Sequence, residues 1–175
     1  MIYPIVKYGD PVLEKPAEPV TGFDGELEKL VADMFETMYA AQGLGLAAPQ
    51  IGIPKRLCVI DVTFGEDPKA KLVLVNPEIL SVDGKQALEE GCLSLPLIRA
   101  EVRRADRATV RAQDIHGNEF TMTGEGLLAR AFAHEVDHLN GSLFFHHLSR
   151  LKRESIKRRV RKMEKAGEWE ARMAL

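Results

Sequence analysis

The chain has 175 residues, 45% hydrophobic and 29% charged, which fits the ~100–200 residues usual for one domain and supplies enough apolar residues for one core. With 24 Lys and Arg against 26 Asp and Glu, the formal charge of −2 argues against a surface built wholly for DNA or another polyanion, and against an acidic disordered chain. Two cysteines are too few for a disulfide scaffold, the first residues lack the basic flank and apolar run of a secretion signal, and no stretch approaches the ~18 apolar residues of a membrane span, so the expected compartment is the cytoplasm, with no membrane contact.

Pro4, Pro11, Pro16 and Pro19 disfavour a continuous helix over residues 1–22, and this segment is expected to wrap the surface. Thr21 and Asp24 are candidate caps for a first helix, in which Leu27, Leu30, Val31, Met34 and Met38 recur at helical spacing and which ends by Gln42. Residues 43–52 hold three glycines and a proline and read as a loop whose backbone can approach a ligand closely. Short β-branched runs predict strands at 57–62, 72–75 and 108–112, and His116-Gly117-Asn118 predicts the tight turn of a hairpin between 109–113 and 119–123. A second helix is expected over about 125–140, with Thr123 as a candidate cap and Gly141 as its left-handed stop. A basic third helix, about 149–170, completes the chain. The expected fold is α+β, one domain over 1–175, with mostly antiparallel sheets around the second helix.

His134-Glu-Val-Asp-His138 puts two imidazoles one helical turn apart on one face, within reach of one metal ion. Wound at 100° per residue, an arc of about 160° carries His134, Leu127, His138, Ala131, Glu135, Leu128, Leu139 and Phe132. Arg130, Asp137, Gly126, Ala133, Asn140, Ala129 and Val136 fall on the other side. Both histidines and Glu135 thus face the core, where polar groups need a ligand or a hydrogen-bond network. A third ligand is expected upstream, because beyond the motif only His146 and His147 precede a basic helix. Cys92, beside Gly91, is the candidate; its alternative is an ordinary buried cysteine, the reading that applies to Cys58 within its apolar run. One thiolate and two neutral imidazoles would leave a divalent ion an open position for water, which suits catalysis. Glu135 is then the candidate general base, or else a carboxylate that orients water. Glu90 and Asp137 are candidates to orient the ligands or to pair with Arg104.

Three strings, Gly43-Leu-Gly-Leu-Ala-Ala-Pro-Gln50, Glu90-Gly-Cys-Leu-Ser94 and His134-Glu-Val-Asp-His138, resemble the GxGLAAxQ, EGCLS and HExxH motifs of the peptide deformylases, in the same order and at similar separations. The resemblance covers nearly the whole chain and implies an α+β fold, one metal ion held by Cys92, His134 and His138, and removal of formyl groups from N-formylmethionyl nascent chains. It also implies Fe2+ as the metal, with Ni2+, Co2+ or Zn2+ able to substitute. The side-chain amide of Gln50 and the backbone N–H of Leu93 would stabilise the developing oxyanion. Leu44, Leu88, Leu127, Ala131 and His134 would form an apolar slot for methionine, and the backbone around Leu44, Gly45 and Gly91 would pair with the extended peptide. Ala133 stands where many members have Gln, and Leu97 where they often have a polar residue or glycine. Two other readings of the motifs are an HExxH metallopeptidase and a non-catalytic metal-binding module associated with the ribosome.

Residues 150–165 hold nine Lys and Arg against two Glu, a net +7 that leaves −9 for the rest of the chain. Leu151, Ile156, Val160 and Met163 give this stretch an apolar stripe, so it reads either as a solvated amphipathic helix packed on the domain or, as the resemblance implies, as a contact with the ribosome near the exit tunnel.

Overall fold

The first helix begins where Asp24 accepts a hydrogen bond from Leu27 N–H at 3.1 Å, so Asp24 and not Thr21 is its cap. That helix, α1, runs Gly25–Ala40, and the whole architecture comes from a computed structural model that describes residues 1–170. Seven strands follow in two antiparallel sheets: β1 (Gly45–Ala47), β2 (Leu57–Ile60), β3 (Leu72–Asp83), β4 (Gln86–Cys92), β5 (Leu95–Arg104), β6 (Arg107–Gln113) and β7 (Glu119–Glu125). The larger sheet has the order β1-β2-β3-β6-β7, and β4 pairs with β5 alone. Helix α2 (Leu127–Leu139) packs against the larger sheet, and helix α3 (Arg150–Lys165) follows a short 3-10 turn at Phe144–His147. The architecture is the expected α+β one.

The β6–β7 hairpin turns where predicted, with Gly117 at φ +85°. Strand β3 continues eight residues beyond the expected end at Val75, straight through Asn76-Pro77. A bulge makes this permissible: Val75 pairs with Gln113 and Glu78 with Arg111, so the proline N, which cannot donate, lies where the ladder skips a residue. Asn76, at φ +51°, uses its side chain to bond Val20 and Gln113.

Strands β4 and β5 are absent from the sequence expectations because charged residues crowd them. On β5, Leu95, Ile98, Val102 and Arg104 turn inward while Arg99, Glu101 and Arg103 face solvent. Helix α2 starts at Leu127 from Gly126 (φ +58°) with no side-chain cap; the expected cap, Thr123, lies in β7 and bonds Thr109. Gly141 ends the helix at φ +77°, packed so closely that a Cβ there would lie 2.8 Å from the Lys15 carbonyl carbon.

The helical projection of α2 needs correction on one side. Ala129, Arg130 and Val136 are buried: Ala129 packs with Ala108 and Val110 of the larger sheet, Val136 lies beside Pro77 and Ile79 of β3, and Arg130 reaches Glu90 on β4 and Val102 on β5. In α3, Ile156, Val160 and Met163 pack with Leu13, Phe144 and Trp169, whereas Leu151 is 83% exposed and leaves the expected stripe. The helix ends at Lys165, short of 170: Gly167 turns left-handed, and Trp169 folds back to donate from Nε1 to Tyr8 O at 2.8 Å.

Candidate active site

Cys92 ends β4, and a two-residue turn, Leu93-Ser94, returns the chain into β5. This corner faces the side of α2 that carries His134 and His138. Cys92 Sγ lies 3.3 Å from His138 Nε2, which lies 3.2 Å from His134 Nε2, and one ligand atom from each residue falls within 4.8 Å of the others. Cys58 is fully buried in β2 and takes no part, as expected.

Glu90, two residues before Cys92 on β4, sets the orientation of His134. Its carboxylate meets His134 Nδ1 at 2.5 Å, Arg104 at 2.7 and 3.2 Å, and Arg130 Nη1 at 2.5 Å. Burial alone would raise the Glu90 carboxyl, but the bonds from His134 and Arg104 outweigh it and hold the group ionised, well below the usual carboxylate range. An ionised carboxylate only accepts, so His134 donates from Nδ1 and turns its Nε2 toward Cys92 and His138. Burial would lower the His134 pKa, but the bonds to Cys92 and Glu90 outweigh it and hold the imidazole well above its ordinary value, so a cation bound at Nε2 would displace a proton. Burial holds the His138 imidazole well below its ordinary pKa and therefore neutral. A soft sulfur and two imidazole Nε2 atoms converging on one point, with the second nitrogen of His134 held by a carboxylate, suit a divalent transition metal.

Arg104 extends the network. It donates to Asp137 Oδ2 at 2.6 Å, the oxygen that also accepts from His147 Nε2 at 2.7 Å. Both acidic residues singled out in the sequence thus pair with Arg104, and only Glu90 touches a histidine of the cluster.

Glu135 is 3% exposed, and burial pushes its carboxyl up to about 7. Its Oε1 lies 4.0 Å from His134 Nε2, and its Oε2 meets no hydrogen-bond donor among the described residues. Gly45 passes directly over it: a Cβ at that position would stand 2.7 Å from Oε1. Gln50, also buried, accepts from Ala47 N–H at 2.9 Å through Oε1, which aims its amide N–H group at Ser94 Oγ (3.2 Å) and Cys92 Sγ (3.5 Å).

These groups border a cavity of about 390 Å³, lined by Leu44, Gly45, Gln50, Gly91, Cys92, Leu93, Leu127, Ala131, His134 and Glu135. Of the residues expected around substrate, Leu88 is the one missing from the lining. It is 56% exposed on β4, on the strand face it shares with Glu90. Gln42, Gly43, Phe64, Glu89, Glu90, Arg99 and Arg130 line the cavity as well.

The polypeptide deformylase family model matches residues 2–154. The chain belongs to the polypeptide deformylase family. It is 63% identical to the peptide deformylase of Acidobacterium capsulatum over 169 residues, 97% of this chain and 99% of that one. The crystal structure of a peptide deformylase from Legionella pneumophila superposes with a TM-score of 0.88 at 48% identity, over 97% of this chain and 99% of that one. The Thermus thermophilus peptide deformylase gives 0.88 at 44% identity, over 98% and 100%. Deformylases are metal-dependent hydrolases that remove the formyl group from the N-terminal methionine of newly made chains and release formate, which is the activity read from the three motifs.

Sequence reasoning missed how much of this deformylase site is electrostatic scaffolding. Arg130 was placed on the outer side of α2, yet it is 5% exposed and donates to Glu90 and to Val102 O at 3.0 Å. The available signal was that an arginine beside small residues in a core helix needs a carboxylate, and Glu90 is the acidic residue of the Cys92 motif.

Proposed function

We propose that Cys92, His134 and His138 hold one divalent cation, Fe2+, with Ni2+, Co2+ or Zn2+ able to replace it, and that Glu135 moves the proton in hydrolysis of the formyl amide. The observation that carries the reading is the convergence of Cys92 Sγ, His134 Nε2 and His138 Nε2 beside a buried carboxylate with one unpartnered oxygen. The cation, when bound, supplies Lewis acidity toward the formyl oxygen and solvent water. Glu135 takes a proton from the attacking water and returns it to the leaving amine, a role matched by a carboxyl held near neutrality. Gln50 Nε2–H and Leu93 N–H donate to the formyl oxygen as negative charge grows on it. Both are pre-set, Gln50 by its bond from Ala47 N–H and Leu93 by the tight turn after Cys92.

Substrate lies between two free strand edges. β1 ends the larger sheet and β4 pairs only with β5, so the backbone at Leu44, Gly45 and Gly91 is placed to add an extended peptide as a further strand. Leu44, Leu127 and Ala131 supply apolar wall for the methionine side chain, with Leu88 outside that wall. Residues from α1 to α3 form one catalytic unit acting in the cytoplasm. Helix α3, basic and mostly exposed, meets the ribosome through its solvent face, so that substrates are intercepted as they emerge. No helix among the described residues is long and apolar enough to cross a membrane.

A formate-release assay with formyl-Met-Ala-Ser tests the reading. Anaerobically purified protein should turn over the peptide without cleaving it internally. Glu135→Gln should keep the metal and lose kcat by at least about 10²-fold. Near-normal turnover in that variant refutes the role of Glu135, and internal cleavage refutes the deformylase assignment of the site.

A further inference from the structure

Beyond Ile60 the chain builds a rigid corner. Asp61 is fully buried, and its carboxylate accepts from Tyr39 Oη–H at 2.5 Å, Thr63 N–H at 2.8 Å, the Thr63 hydroxyl at 2.7 Å and Gly65 N–H at 3.0 Å. The corner holds Phe64 at φ +55°, a left-handed conformation unfavourable for a bulky residue, and leaves its side chain 56% exposed. Phe64 packs into none of the apolar clusters of the described residues. Folding therefore gives no reason for an aromatic ring at this position.

Phe64 stands between two cavities. It lines the one at Cys92, and it also lines a second, of about 680 Å³, with Tyr39, Pro68 and Lys71. Gln42 and Gly43 border both, so the second cavity continues the first. A peptide whose formyl end lies at Cys92 must leave along these walls, and an extended chain advances ~3.3 Å per residue, which limits the choice to the first few residues.

Resting on the deformylase reading of the neighbouring site, we propose that Phe64 is a specificity-determining residue. It is an aromatic platform for a large apolar or aromatic side chain in the first two residues after formyl-methionine, and the following chain enters the groove walled by Tyr39, Pro68 and Lys71. Glycine tolerates φ near +55°, so Phe64→Gly removes the ring and relieves the backbone together.

The test uses metal-loaded enzyme and compares kcat/KM for formyl-Met-Ala-Ser, formyl-Met-Phe-Ser and formyl-Met-Ala-Phe. One phenylalanine-containing peptide should exceed the Ala-Ser peptide by roughly three- to tenfold in the parent, as expected for one aromatic contact, with the difference in KM. The ratio should fall below about twofold in Phe64→Gly and return in Phe64→Tyr. Thermal melting of each variant establishes that it is folded. An equal ratio in parent and Phe64→Gly, or no preference in the parent, overturns the proposal while leaving the deformylase reading intact. Absence of formate release from all three peptides in the parent instead refutes that reading.

Discussion

Glu90→Gln tests whether the charge network behind His134 holds the site together. Glu90 and Asp137 face Arg104 and Arg130 in a buried group whose charges cancel, and Glu90 alone receives bonds from His134, Arg104 and Arg130. A glutamine removes the negative charge and turns an N–H donor toward either a guanidinium or the His134 Nδ1–H. Breaking a buried, hydrogen-bonded ion pair by neutralising one partner costs about 3–5 kcal/mol, which for a chain of this size lowers Tm by about 6–20 °C. The loss of the acceptor that fixes the His134 tautomer should weaken metal binding by about 10–100-fold. Differential scanning calorimetry on the metal-free protein and a competition titration with a chelator measure the two effects separately. A Tm within about 2 °C of the parent, together with unchanged metal affinity, would refute the assignment of Glu90 as the anchor of His134.

Gly45→Ala should fold with a near-parent circular dichroism spectrum yet lose kcat by roughly 10²-fold, because its Cβ would stand 2.7 Å from Glu135 Oε1 and push the carboxylate aside; unchanged kcat in formate release counts against the stated position of Glu135. Burial and the bond to Asp61 push the Tyr39 phenol up to about 12. Its folded pKa is raised, so the stability it contributes is present below pH 10 and is lost as pH rises through about 12. Burial also raises the Tyr8 phenol, so an absorbance titration should show late tyrosinate absorbance that loses one tyrosine's amplitude in Tyr39→Phe, and of which one tyrosine's amplitude moves down toward 10 in Asp61→Asn; late amplitude unchanged by both substitutions contradicts the bond. Asp61 runs the opposite way. Burial would raise its carboxyl, the bonds from Tyr39 and Thr63 more than offset it, and the stabilisation is present above pH 3.8 and lost on acidification below that value. Asp61→Asn should therefore flatten the acid limb of the stability curve, measured by urea unfolding against pH, and an unchanged limb argues against this role.

The parts of the molecule legible in the sequence are those whose chemistry is local. His134 and His138 share a face because four residues make about one turn, Gly141 stops the helix because a left-handed residue was needed there, and the β6–β7 turn announces itself in His116-Gly117-Asn118. Strand β4 was hidden because none of its seven residues is β-branched, and β5 because its solvent face carries arginine and glutamate, which the search for β-branched runs passes over. Asn76-Pro77 looked like a strand end, and only a bulge opposite Ala112 lets β3 run on. Arg130 was misplaced because a single-face projection assumes one packing partner, whereas α2 also reaches β4 and β5 through this side chain. Phe64 carried no signal, since its position depends on the bonds that converge on Asp61 from α1 and from the corner itself.

X-ray absorption spectroscopy of the anaerobically purified protein tests the central claim most directly. The expected result is one metal ion per chain with one sulfur near ~2.3 Å and two imidazole nitrogens near ~2.0–2.1 Å, the sulfur shell vanishing in Cys92→Asp. An ion without a sulfur neighbour, or a sulfur shell that persists in that variant, would contradict a site formed by Cys92, His134 and His138.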